Sequence, residues 1–227
     1  METGIYEPLT PESYGRIVID GTWRYGFNEV AEMLGPLHGK RALDYGCGTG
    51  RSTRFLSELG ADVVGTDSNP RMIEVAQRQN QALEYRLIQD GLIPESDGSF
   101  DAALSGFVHL EISARDEMCR VDREVCRVLK PRGIYVVLTA NPEMWGHQYE
   151  SFSSSFPPDF AGRGGQKINV QIRTGTGTIE FVDYYWEEAD YTRSLETAGF
   201  AVEEAKKVVA GEKEAPPPFL VIRAAKR

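Results

Sequence analysis

Three features of the sequence predict an α/β fold with a mostly parallel sheet. The segment 41–67 has the pattern of a strand, a glycine-rich turn, a helix and a second strand. Apolar runs such as 133–139 are typical of strands that are buried on both faces. Helical patterns, with apolar residues three and four positions apart, separate these runs. The strand patterns predict a seven-stranded sheet with one inserted β-hairpin, in a single domain of residues 1–227.

The glycine-rich turn has the sequence Gly46-Cys47-Gly48-Thr49-Gly50. Glycine lets a ligand approach the backbone N–H groups closely, and the helix that follows directs its positive end at that ligand. Asp67 ends the next strand, 17 positions after Gly50, where a ribose would present its hydroxyls. The segment therefore predicts an adenosine-type ligand at the carboxyl edge of the sheet.

The spacing of the glycines favours one class of ligand. A dinucleotide site has the pattern G-x-G-x-x-G, but position 51 is arginine and the third glycine comes one residue early. Asp44 precedes the turn, and its negative charge suits an ammonium group better than a pyrophosphate. An NAD-type oxidoreductase is therefore the less favoured alternative.

Residues 44–50 resemble the first motif of class I S-adenosylmethionine-dependent methyltransferases. Two later segments add to the resemblance: Phe100-Asp101, and 129–133, which is similar to an L-K-P-G-G motif with Arg132 in place of the first glycine. The resemblance implies a Rossmann-like fold, S-adenosyl-L-methionine as cofactor and S-adenosyl-L-homocysteine as product. It also implies that the glycine loop backs the methionine part of the cofactor and that Asp67 holds its ribose.

The predicted cofactor site includes residues beyond the loop. Asp90 ends the third predicted strand, where the resemblance places an acid near the adenine amine; the alternative is an ordinary turn aspartate. Residues 1–38 are predicted to form a lid of N-terminal segments, although their aromatic residues could instead pack on the sheet. The complete predicted set is Asp44, Gly46, Cys47, Gly48, Gly50, Asp67, Ser68, Met72, Asp90, Gly91, Leu92, Ser105, Tyr14 and Arg24, with Tyr6, Trp23 and Tyr25 as further lid candidates.

The segment 141–186 is predicted to be an inserted cap over the acceptor. Alternating apolar residues indicate strands at 166–173 and 178–186, whereas 151–158 has no strand period and is predicted to be a loop. The segment is rich in aromatic residues, which suits a small organic acceptor, although the same hairpin could form a homodimer interface. The predicted acceptor residues are Phe107, Trp145, Tyr149, Tyr184 and Tyr185.

Two histidines are candidates for a general base. His109 follows the fourth strand of the sheet, and His147 lies in the predicted cap. A phenol, hydroxyl or acidic carbon would require such a base, whereas an amine could use a carboxylate or water. Substrate contact and packing are the alternatives for His109. No cluster of acids and histidines stands out, so metal-independent transfer is predicted.

Composition limits the possible partners. The formal net charge of −9 argues against a general affinity for nucleic acid or acidic membranes. No apolar stretch approaches the ~18 residues of a membrane span, and the N-terminus lacks the pattern of a signal peptide. Three cysteines without a C-x-x-C pair suit a cytoplasmic protein. The sequence thus predicts methylation of a small molecule on oxygen, nitrogen or carbon, with natural-product tailoring preferred; a non-catalytic binding module is the second alternative.

Overall fold

The computed structural model describes residues 6–7, 9–175, 177–211 and 215–227, with side chains from residue 9 onward. Its helices are α1 (Pro11–Tyr14), α2 (Gly21–Leu34), α3 (Arg51–Glu58), α4 (Pro70–Gln79), α5 (Arg115–Val128) and α6 (Glu188–Ala198), with short 3-10 turns at His109–Glu111 and Pro142–Met144. Its strands are β1 (Tyr6–Glu7), β2 (Arg41–Tyr45), β3 (Asp62–Asp67), β4 (Glu84–Leu87), β5 (Phe100–Gly106), β6 (Leu129–Ala140), β7 (Phe152–Ser155), β8 (Lys167–Arg173), β9 (Thr178–Tyr184), β10 (Phe200–Val208) and β11 (Phe219–Lys226).

Seven strands form the main sheet in the order β10-β11-β6-β5-β2-β3-β4. The pairs from β6 through β4 are parallel, and β11 is antiparallel to both of its neighbours. This confirms the predicted Rossmann-like, mostly parallel sheet. Because β2 lies between β3 and β5, the segments after these three strands meet at one edge of the sheet.

Helix α2 packs on the antiparallel side of the sheet. Trp23, Phe27 and Val30 are buried, as the helical spacing in the sequence predicts. Gly26 allows the close approach, since a Cβ at this position would lie 2.9 Å from a ring carbon of Phe219 and 3.0 Å from a methyl group of Leu138.

A second, four-stranded sheet covers the carboxyl edge, in the order β1-β9-β8-β7. The predicted hairpin is its centre, with β8 and β9 antiparallel. The prediction of a loop at 151–158 is wrong, because Phe152–Ser155 forms strand β7. This strand pairs antiparallel with residues 169–172 of β8, with Phe152 opposite Ile172 and Ser155 opposite Asn169. Its sequence, one phenylalanine followed by three serines, has no alternation of apolar and polar residues that would predict a strand. Hydrogen bonds to the backbone of β8 form it instead. Strand β1 adds to β9 in parallel. We call this four-stranded sheet the cap sheet.

Helix α5 begins at Arg115, and β4 ends at Leu87. The motif at 129–133 lies within β6, where Arg132 has a φ of 65°. This is the left-handed region, which glycine adopts most easily. The described residues include no helix that is both long and apolar enough to span a membrane.

Replacing Gly26 by valine is expected to lower the free energy of unfolding by about 1–3 kcal/mol, because α2 would be forced away from Phe219 and Leu138. Urea denaturation of the variant and the unaltered protein measures this change. The matched control is Gly175→Ala, since a Cβ at position 175 meets no atom within 4 Å. Equal stability of the Gly26→Val variant would contradict the packing described for α2.

Candidate active site

The glycine loop is fixed to the tip of β3 by backbone hydrogen bonds. The N–H groups of Gly46 and Cys47 both donate to the carbonyl oxygen of Thr66, at 2.7 and 2.9 Å. The N–H of Gly48 donates to Oδ2 of Asp67 at 2.9 Å. The loop and the acid predicted to hold the ribose therefore form one unit.

The loop requires glycine for two reasons. Gly46, Gly48 and Gly50 have φ values of 69°, 53° and 86°, which other residues rarely adopt. A Cβ on Gly46 would lie 2.2 Å from a methyl carbon of Val108, and one on Gly50 would lie 2.4 Å from the Tyr85 hydroxyl. The space above the loop is therefore kept open for a ligand.

Asp67 is the acid at the end of β3. Its carboxylate accepts from the N–H of Gly48 and, at 2.8 Å, from the N–H of Asn69. Burial raises the pKa of this carboxyl, and the backbone donors offset part of the rise. Asp67 thus braces the loop and also presents an acceptor to the cleft.

A cleft of about 550 Å³ lies over the loop. We call it the cofactor cleft. Of the predicted cofactor residues, the structure brings together Tyr14, Gly46, Gly48, Asp67, Ser68 and Met72 in its wall. Apolar residues that the sequence analysis did not name complete this wall, including Leu9, Ile88, Ile112 and Val121. The open glycine loop, the acid and the apolar wall fit the methionine, ribose and adenine parts of S-adenosylmethionine.

Other predicted cofactor residues lie outside the cleft wall. Cys47 and Ser105 are buried beneath it, and Gly50 is the N-cap of α3. Asp90, Gly91 and Leu92 form an exposed turn, in which Asp90 has a φ of 53°. Arg24 is exposed on α2, with its guanidinium carbon 6.0 Å from the ring centroid of Tyr25. The Tyr6 side chain is outside the described part of the chain.

Asp44 is buried beneath the loop. The hydroxyls of Ser52 and Thr53 each donate to its Oδ2 at 2.7 Å, whereas its Oδ1 has no hydrogen-bond partner. Burial raises the pKa of Asp44 to about 6, although the two hydroxyls lower it. The carboxyl therefore holds the start of α3, which follows the loop, and does not line the cofactor cleft.

A smaller cavity of about 40 Å³ adjoins the cofactor cleft beneath the cap sheet. We call it the inner cavity. Tyr14, Phe107, Glu111 and Phe181 line both spaces and form the boundary between them. The other lining residues are Trp23, Arg51, Leu110, Ala140, Met144, Trp145, Phe152, Val170, Ile172, Asp183 and Phe219.

Some predicted acceptor residues lie in these walls and others do not. Phe107 and Trp145 line the inner cavity, and Tyr184 lines the cofactor cleft. Phe107 has a φ of 63°, a strained conformation for an aromatic residue that turns the chain at the end of β5. Tyr149 is buried with its hydroxyl donating to the carbonyl of Pro216, and Tyr185 packs on Phe160.

Two acids in the inner cavity were missed by the sequence analysis. The side chain of Asp183 is buried, and its Oδ1 has no hydrogen-bond partner among the described residues. Burial and the charge of Glu111 raise the pKa of Asp183 well above its usual range. The side chain of Glu111 is exposed within the cleft. Its position deep between the two sheets nevertheless raises its pKa to about 7, and the charge of Asp67 adds a smaller effect.

A sequence signal for Asp183 does exist. Ile179, Phe181 and Asp183 alternate along β9 and so share one face of the strand. The first two are apolar, so an acid that continues their alternation is predicted to point inward. Glu111 has no such signal, because it follows β5 in a short irregular segment without helical or strand alternation.

Neither candidate histidine reaches a cavity wall. His109 is 1% exposed, with its Nε2 2.8 Å from Oδ1 of Asp122 and its Nδ1 3.5 Å from the Ser105 hydroxyl. The Ser194 hydroxyl donates to the other oxygen of Asp122. This network joins β5 to α5 and α6, which favours the packing alternative for His109. His147 is exposed on the cap segment.

No group of three or more histidine, cysteine or acidic side chains in the described part of the chain could hold a metal ion. The three cysteines are buried and free.

Comparison with known proteins shows which family has this arrangement. Residues 42–133 match the model of a methyltransferase domain. The N-demethylindolmycin N-methyltransferase of Streptomyces griseus is 30% identical over 162 residues, which cover 70% of this chain and 68% of the relative. The chain belongs to the S-adenosylmethionine-dependent methyltransferase family.

Two further similarities extend this result. The demethylmenaquinone methyltransferase of Tropheryma whipplei is 38% identical over 122 residues. These residues cover 52% of this chain and 48% of that relative. The crystal structure of an S-adenosylmethionine-dependent methyltransferase from Mesorhizobium loti superposes with a TM-score of 0.65. It is 20% identical and covers 89% of this chain and 98% of its own, which shows a shared fold. These similarities give no support to an NAD-type oxidoreductase.

In this methyltransferase, Asp67→Ala is expected to weaken binding of S-adenosylhomocysteine by about 1.5–3 kcal/mol, because charge-assisted hydrogen bonds to the ribose and to Gly48 are lost. Isothermal titration calorimetry measures the change. The control is Asp62→Ala at the other end of β3, where the side chain is 81% exposed. Unchanged affinity in the Asp67 variant would refute the ribose assignment.

The buried Asp44 predicts a dependence of stability on pH. Its folded-state pKa of about 6 exceeds the unfolded value of about 3.9, so the folded protein binds this proton more tightly. Ionisation of Asp44 therefore lowers the free energy of unfolding as the pH rises from about 4 to about 6. Asp44→Asn removes that loss, and its stability relative to the unaltered protein should rise over this window by about 2–3 kcal/mol and then stay level.

Urea denaturation of the cofactor-free protein at several pH values between 4 and 7.5 measures this difference, with Asp62→Asn as an exposed control. A stability difference for Asp44→Asn that does not change with pH would show that Asp44 has an ordinary pKa.

Proposed function

We propose that this enzyme transfers a methyl group from S-adenosylmethionine to a basic nitrogen of a small, largely apolar molecule. The observation that carries the proposal is the Asp183 carboxyl, which is 4% exposed, lacks a partner for Oδ1 and lines the inner cavity. A buried carboxylate without a partner is costly, so its position indicates a ligand that donates to it. A protonated amine is such a ligand.

The remainder of the inner cavity suits the same kind of acceptor. The rings of Phe107, Phe152 and Phe219 surround Trp23, with centroid distances of 5.1, 4.8 and 5.7 Å. Aromatic faces attract an ammonium group and also pack against an apolar body. The volume of about 40 Å³ admits a head group of a few atoms, and the rest of an acceptor would lie towards Tyr14 and Phe181 at the boundary with the cofactor cleft.

The carboxyl groups have a clear part in the chemistry. S-adenosylmethionine supplies, when bound, a methyl group already activated by a positive sulfur. An amine attacks only as the free base, so Asp183 would first hold the ammonium and accept its proton, aided by its raised pKa. As the N–CH₃ bond forms and the S–CH₃ bond breaks, positive charge develops on nitrogen. An ionised carboxylate nearby stabilises that charge, and Glu111 at the boundary is placed to do so.

Two further observations support the proposal. The printed name of the Streptomyces griseus relative describes methylation on nitrogen. Neither histidine lines the described cavities, and the groups there that can accept a proton include Asp183 and Glu111, whose negative charge also attracts an ammonium group.

The buried free thiols also suit the proposed cytoplasmic location. Natural-product tailoring and a homodimer through the cap sheet remain predictions.

Asp183→Asn is expected to lower kcat for an amine acceptor by about 100-fold or more, because the proton acceptor is lost, while affinity for S-adenosylhomocysteine stays unchanged. The assay is transfer of labelled methyl to a panel of arylalkyl amines and basic heterocycles, with phenols of similar skeletons alongside. Glu180→Gln is the matched control, since Glu180 lies on the outer face of β9 and bonds to Gln171. Turnover of phenols alone, or full activity of the Asp183 variant, would overturn the proposal.

A further inference from the structure

One cation in the wall of the inner cavity forms no ion pair with the described residues. Arg51 begins α3, and its guanidinium carbon lies 5.7, 5.6 and 5.9 Å from the ring centroids of Tyr14, Trp23 and Phe27. Its Nη1 is buried and makes no hydrogen bond to any residue that the structure describes. The side chain lines the inner cavity and not the cofactor cleft.

Some other arginines of the protein are bonded to acids. Arg41 is paired with Glu95, and Arg127 with Glu124. Arg51 forms no such pair with any described residue. Its neighbours are aromatic rings, and a ring does not offer its N–H groups a conventional hydrogen-bond acceptor. A buried N–H donor without an acceptor is costly, more so when it carries charge. The cavity therefore presents an unused donor to whatever enters it.

The positive and negative groups of the cavity belong to different elements, since Arg51 lies on α3 and Asp183 on β9 of the cap sheet. Burial and the charge of Glu111 raise the pKa of Asp183. The charges of Arg51, Glu111 and Asp183 all act on the Tyr14 hydroxyl: burial raises its pKa to about 12, Arg51 opposes that rise, and Glu111 and Asp183 add to it. The wall of the inner cavity thus combines an acid from the cap sheet with a cation from α3.

We infer that the acceptor is an amphoteric molecule of the amino-acid type, which carries a carboxylate bound by Arg51 in addition to the nitrogen that is methylated. The inference rests on the proposed function for the amine and adds a second recognition element. Arg51 can bind both oxygens of a carboxylate through paired N–H groups, whereas a lysine would offer one point charge. The aromatic rings of the cavity wall contact the body of the acceptor.

The test compares matched compounds with and without the carboxylate. Tryptophan is paired with tryptamine and phenylalanine with phenethylamine, and indole-3-propionate carries the carboxylate alone. Binding is measured by calorimetry on the protein saturated with S-adenosylhomocysteine. For the phenylalanine pair, which has no indole fluorescence of its own, it is also measured by the tryptophan fluorescence of the protein, since Trp23 and Trp145 line the cavity. The carboxylate-bearing amine of at least one pair is expected to bind about tenfold or more tightly than its partner.

Arg51→Met is expected to remove this preference, while affinity for the carboxylate-free amine and for S-adenosylhomocysteine stays unchanged. Arg51→Lys should retain part of the preference, since it keeps the charge without the fork of donors. Arg54→Met is the matched control on the same helix, because Arg54 bonds to Gln79 and does not line the inner cavity. This variant should keep the full preference.

The outcomes separate the inference from the function on which it rests. Equal binding of both members of every pair, or a preference that survives in Arg51→Met, overturns the role of Arg51 and leaves the amine acceptor standing. A parallel loss of S-adenosylhomocysteine affinity in Arg51→Met would assign Arg51 to the cofactor and also overturn it. If only indole-3-propionate binds, and Arg51→Met abolishes its binding, the carboxylate site stands and the amine acceptor fails. No binding of any compound to the unaltered protein refutes both.

Discussion

The parallel register of β2 with β3 is the constraint on which the rest of the site depends. It places Tyr45 opposite Thr66, so that the chain leaving β2 can donate two N–H groups to a single carbonyl. Those bonds hold the glycine loop in place, and the loop then reaches the carboxylate of Asp67. A shift of one residue would turn the alternate side chains to the other face and separate the loop from its acid.

Acidic groups gather around the cleft at a cost in stability. Burial raises the pKa of Asp44, Asp67 and Asp183, and the charge of Asp67 adds to the rise for both Asp44 and Glu111. Such groups repel one another in a region of limited solvation. A positively charged ligand among them relieves this repulsion, which explains why a fold would keep so many acids at one edge of its sheet.

The sequence predicted the core of the fold well because its signals are local. The glycine loop and the apolar strands each depend on a few neighbouring residues. The cap sheet was predicted only in part, since β7 and β1 owe their pairing to β8 and β9 rather than to their own side chains. Asp67 ends β3 beside Gly48, as local sequence predicts, whereas the aromatic rings around Arg51 come from distant segments and follow no local pattern.

The histidines show why residue type alone misleads. His109 occupies the expected segment after β5, but the short turn that follows directs Glu111 to the cavity and His109 to Asp122 in the core. Only the conformation of the backbone, including the positive φ of Phe107, decides between the two. The spacing of residues in the sequence carries no such information.

The cap sheet draws its strands from two distant parts of the chain, with β1 preceding the core and β7 to β9 inserted after β6. Its inward residues line part of the inner cavity, whereas the glycine loop and Asp67 belong to the other sheet. A lineage that exchanged the insert would therefore reshape one wall of the inner cavity while it inherited the glycine loop unchanged.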